Sequence, residues 1–98
     1  MILATVLATV ALASPTLSVA PNPATPYEPV TITGCGYSTS VWLTINNGVG
    51  FGEQPVDASG CFEMHWWAGP SDETYRAYGN ARHRGKPLAA TTLAVSVP

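Results

Sequence analysis

Apolar residues recur at every second position over several short stretches of this chain, and glycine, proline, asparagine and aspartate separate the stretches. That period marks strands with one buried face. Val41, Leu43 and Ile45 are the plainest case, placing Trp42 and Thr44 outward. Thr16–Ala20 puts Leu17 and Val19 inward, and Val30–Thr33 does the same with Val30 and Ile32. In Cys61–Trp67 the inner face is Phe62, Met64 and Trp66, with Trp66 read as core, and the outer face is Glu63, His65 and Trp67. Thr74–Ala81 turns Tyr75, Ala77 and Gly79 inward; Leu88–Val97 turns Leu93, Val95 and Val97 inward. Val49–Glu53, flanked and interrupted by Gly48, Gly50 and Gly52, reads as a weak, irregular strand.

The breakers between these stretches agree. PNPATPYEP at 21–29 holds four prolines, so it is excluded from helix interiors and central strands and reads as an extended crossover. Asn46-Asn47-Gly48 and Asp57-Ala58-Ser59-Gly60 are turn signals, because Asn, Asp and Gly suit turn geometry. The count is seven short strands about 8–12 residues apart, the spacing of an all-β, immunoglobulin-like β-sandwich.

The only two cysteines lie in matching contexts, TGCGY at 33–37 and ASGCF at 58–62, each beside glycine and just before an aromatic. Both read as strand–turn junctions. A disulfide between Cys35 and Cys61 is expected if their Cα atoms come within roughly 7 Å. It would stabilise the fold by about 3 kcal/mol and imply an oxidising final environment. The other reading is two free thiols buried as small hydrophobes.

Ninety-eight residues make one domain, here 16–98, preceded by an arm at 1–15. Only 10% of residues are charged and the net charge is −2, which gives no general drive toward nucleic acid or anionic membrane. All the basic residues, Arg76, Arg82, Arg84 and Lys86, fall in one stretch, with the acids upstream. They form either a solvated loop or a docking loop for an acidic patch on a neighbour.

MILATVLATVALA at 1–13 is an unbroken apolar run. It is shorter than the ~20 residues of a membrane-spanning helix. As a strand, with Leu3, Val6, Leu7 and Val10 among its apolar positions, it needs cover on both faces. It is therefore expected to pack on a neighbouring subunit. The competing reading is a leader cleaved near ALAS, although no Lys or Arg follows Met1.

Taken in order, EPVTITGCGY, VWLTI, DASGCF, ETYRAYG and LAATTLAVSV resemble the bacterial and bacteriophage immunoglobulin-like modules, whose pattern is turn glycines between alternating strands and a late tyrosine. The resemblance covers residues 16–98. It implies a β-sandwich without cofactors, and it supports the pairing of Cys35 with Cys61, which replace the pattern's usual small residues. Tyr75 fits the tyrosine-corner position, with no cysteine after it. Trp66, Trp67 and the basic loop are additions to the pattern.

Catalytic chemistry is not expected. His65 and His83 are the only histidines, no nucleophile elbow occurs, and the Cys and His spacings are not those of a zinc site. The paired acids Asp72-Glu73 read as solvated. Outward aromatics are the better candidates: Trp42, Trp67 and Tyr78, with Tyr37 sharing their parity, since such residues serve interface hot spots or stack on sugar rings. The expected function is a structural subunit of a bacteriophage virion, a capsid decoration or tail accessory docked on other virion proteins, with a host-surface glycan as a further candidate partner. The alternative is a secreted or cell-surface bacterial binding module.

Overall fold

The computed structural model describes residues 14–46, 49–79 and 86–97, apart from the side chain of Val49. The seven strands are β1 (Ser18–Ala20), β2 (Pro29–Gly34), β3 (Val41–Ile45), β4 (Val49–Gln54), β5 (Phe62–Trp67), β6 (Glu73–Gly79) and β7 (Ala89–Leu93). They form two antiparallel sheets, ordered β1-β2-β5 and β4-β3-β6-β7. This is an immunoglobulin-like sandwich. In constant immunoglobulin domains the fourth strand joins the first sheet, whereas here β4 pairs with β3, the place of the extra strand in variable domains.

The alternation read from the sequence supplies the core. Val19, Val30, Ile32 and Phe62 from one sheet meet Val41, Leu43, Tyr75, Ala77 and Leu93 from the other. Burying a large aliphatic or aromatic side chain stabilises by about 1.5–3 kcal/mol, so these residues determine which face of each strand turns inward. A one-residue slip in any strand would reverse its faces.

Four expectations about the strands and their faces need correction. Tyr37 is a core residue, not a surface aromatic: its ring packs on Phe62 at 5.7 Å and its hydroxyl donates to the Thr16 carbonyl at 2.7 Å. The chain leaves strand geometry after Gly34, so parity no longer decides where Tyr37 points. Thr44 has outward parity yet is fully buried, since Arg76 opposite it lies along the sheet to reach the Asn46 carbonyl. Val97 is 79% exposed, because β7 ends at Leu93 and only Val95, bridged to Ala24, still packs on the core. Trp66 is 37% exposed; it has inward parity but sits on an edge strand, where its indole lies edge-on to Phe51 at 4.6 Å.

Glycine is required where the two cysteine markers meet. A Cβ on Gly34 would come within 2.5 Å of the Phe62 ring, and Gly60 has φ +81 with a Cβ there meeting the Tyr37 carbonyl oxygen at 2.7 Å. Both sites demand the bare backbone.

Candidate functional site

Pairing between β2 and β5 runs from Pro29 opposite Trp67 to Gly34 opposite Phe62. One further step in the same register brings Cys35 opposite Cys61. The two are joined as a disulfide with Cα atoms 4.0 Å apart. The bridge therefore links neighbouring strands of one sheet rather than the two sheets. It lies on the outer face, on the same parity as Thr33 and Glu63.

A tight turn holds the start of β5. Asp57 accepts from the Cys61 N–H at 3.0 Å and from the Ser59 hydroxyl at 2.8 Å, while the Asp57 N–H donates to the Cys61 carbonyl at 2.9 Å. These donors, the Cys61 amide first, hold the Asp57 carboxyl below the ordinary aspartate range. Both backbone polar groups of Cys61 thus point away from β2.

The outer face of the three-stranded sheet is polar except at its end. Ser18 and Thr33 share a hydrogen bond of 2.9 Å, His65 Nδ1 lies 3.3 Å from the Thr31 hydroxyl, and His65 Nε2 lies 3.0 Å from Glu63. Trp67, opposite Pro29, is 61% exposed. Its ring is 6.1 Å from that of Trp66, which leads through Phe51 to the buried Tyr75. A row of four aromatic rings therefore runs from the core to the surface at the β5 edge.

The other candidate residues lie elsewhere. Trp42 and Tyr78 face each other across β3 and β6 on the outer face of the four-stranded sheet, both half-buried, with the Trp42 indole against Gly50. Arg76, on the same face, donates to the Asn46 carbonyl at 2.8 Å. Lys86 is exposed. Trp42 and Trp67 are thus on opposite sides of the sandwich, and a single surface holding both is ruled out. Arg82, Arg84, Leu3, Val6, Leu7 and Val10 lie outside the described residues.

Glu73 was expected to be solvated and is instead buried, where it accepts from the Tyr75 hydroxyl at 2.8 Å. Asp72 is exposed and accepts from the Val95 N–H. Beside the disulfide lies an open groove of about 570 Å³ between Pro55-Val56-Asp57 and Phe62-Glu63. Among the described residues no three Cys, His, Asp or Glu side chains group as a metal site, and no helix is long and apolar enough to cross a membrane. No known family, curated protein or solved structure matches the chain.

Sequence reasoning missed the free edge of β5 and the role of Trp66 there. Strand order decides which strand is an edge, and no local pattern reports it. The tandem Trp66-Trp67 was the one available signal, since two adjacent indoles cannot both occupy the inner face of a strand.

Proposed function

We propose that this chain is a non-enzymatic structural subunit of a bacteriophage virion, an immunoglobulin-like decoration or tail accessory domain that acts through protein–protein contacts. The observation that supports docking is the β5 edge, where Trp66 and Trp67 are exposed side by side on a strand held by the disulfide. Indoles fixed on a rigid element bring large contact area at little entropic cost, and such residues dominate interface energetics. The virion placement rests on the order of the sequence motifs. A disulfide on the outer face suits a protein whose final environment is oxidising, as a released particle's is.

Phage particles purified from a host culture that produces this chain should contain it in fixed stoichiometry to the major shell protein, measured by quantitative peptide mass spectrometry. Its absence from particles would overturn the reading.

The alternative, a secreted or surface-displayed bacterial binding module, draws on Trp67. That indole stands on a polar face beside His65 and Thr31, an arrangement suited to stacking on a sugar ring with hydrogen bonds alongside. Intact mass distinguishes the two: a chain in the medium that begins near Ser14 favours the secreted module.

A further inference from the structure

Open sheets end in edge strands whose unpaired backbone groups invite pairing with another chain. Among the described residues four strands are edges: β1, β4, β5 and β7. β1 is only three residues long. β4 breaks register opposite Leu43 and Thr44 and carries Gly52 at φ +91, and a bulged edge resists pairing. β7 is covered: the Asn22 side chain donates to the Thr92 carbonyl and accepts from the Ala94 N–H, while Ala24 bonds Ala94 and Ser96. β5 is different, with six regular residues. Among the described residues no backbone hydrogen bond other than the β2 ladder reaches Phe62–Trp67.

The geometry also says which groups are free. Backbone polar groups alternate sides along an antiparallel strand. Cys61 directs both of its groups away from β2, to Asp57. Glu63, His65 and Trp67 therefore direct theirs to the open edge, and Phe62, Met64 and Trp66 direct theirs to β2.

We propose that this edge pairs antiparallel with β5 of a second copy of the chain, about a two-fold axis through Met64. The proposal extends the docking reading by naming the occupant of the edge, and it stands whether or not the chain enters a particle. Such an axis is perpendicular to the sheet and keeps each face on its own side, so one residue must sit opposite itself. Centring on Glu63 would oppose two like charges, and centring on His65 would set His65 against its copy and Glu63 against Trp67. Centring on Met64 sets Glu63 opposite the partner's His65 on the outer face, twice by symmetry. A carboxylate and an imidazole directly across a strand pair can share a hydrogen bond, whereas two like charges there destabilise. The same register puts Trp66 opposite the partner's Phe62 on the inner face, covering the indole surface that the monomer leaves exposed. Glu63 and the partner's His65 are then the pair that exchanges backbone hydrogen bonds, using the groups the monomer leaves unpaired. The dimer has one continuous six-stranded sheet whose new ladder runs from Phe62 to Trp66 of each copy, since Asp57 already holds the Cys61 groups that would face the partner's Trp67.

Sedimentation velocity on the oxidised full chain, over a concentration series, tests this. Wild type is expected to pass from one copy to two as concentration rises. Glu63→Lys and His65→Glu should each weaken association by roughly tenfold through loss of the two cross-strand pairs, and the double variant should restore it. His65→Pro removes an N–H that the β2 ladder does not use. It should abolish the dimer while near-ultraviolet circular dichroism stays that of the folded monomer. A chain that remains monomeric throughout, or a dimer indifferent to these variants, overturns the proposal. Neither result bears on incorporation into particles, which the peptide assay judges separately.

Discussion

Tyr75 shows what a single residue contributes here. Its ring is fully buried and its hydroxyl donates to Glu73, two positions upstream and also buried. In antibody-type domains the corresponding hydroxyl reaches backbone; here a carboxylate takes that place. A buried hydrogen bond to a charged group contributes about 1.5–3 kcal/mol, and removing one partner leaves the other desolvated. Tyr75→Phe is therefore expected to lower unfolding free energy by about that amount, measured by urea denaturation at neutral pH. Burial, followed by the bond to Glu73 and its charge, raises the Tyr75 phenol above the ordinary tyrosine value. The folded state thus holds this proton more tightly than the unfolded chain. The associated stability is complete below about pH 10, the unfolded value, and is lost as pH rises beyond it. Denaturation midpoints measured upward from there should fall less steeply in Tyr75→Phe than in wild type. The tyrosine was visible in ETYRAYG, but its acceptor was not. Glu73 reads as a surface turn acid until β6 is seen to begin there and carry it inside.

At the scale of elements, the disulfide and the Asp57 turn act together on β5. Cys35 and Cys61 continue the β2–β5 register, and the bridge closes the sheet at the end where both strands run out. The sequence separation is 26, for which chain entropy gives a stabilisation of about 3 kcal/mol. Replacing both cysteines by alanine should lower the melting temperature by roughly 12–24 °C, read by calorimetry. The paired markers TGCGY and ASGCF made this bridge legible before any coordinates. That it lies within one sheet was not legible, because the spacing of two cysteines does not say whether their strands are neighbours or face each other across a core.

Across the whole molecule, Phe51 and Trp66 close the sandwich on its β4–β5 side, one ring from each sheet, 4.6 Å apart and edge-on. Edge-to-face pairs contribute about 0.5–1.5 kcal/mol beyond the area they bury. A double-mutant cycle with Phe51→Leu and Trp66→Leu should return a coupling of that size in unfolding free energy. Phe51→Leu with Trp67→Leu should return a much smaller one, since Trp67 has no contact with Phe51 among the ring pairs of this row. The seam explains why Trp66 is neither core nor plain surface: one side of its indole rests on Phe51 and the other faces outward beside Trp67.

Local pattern alone determined the seven strands, most of their inward faces and the pairing expected of the two cysteines. Alternation at period two and the backbone needs of Gly, Asn and Pro are properties of neighbouring residues, so a sequence carries them in full. Only the tertiary structure decided that β4 joins β3 and leaves β5 an edge, that Glu73 is buried, that Tyr37 is core, and that Trp42 and Trp67 stand on opposite faces. Those outcomes depend on which strands become neighbours. Pairing is set by the summed burial of the whole core, and no short stretch of the chain records that sum.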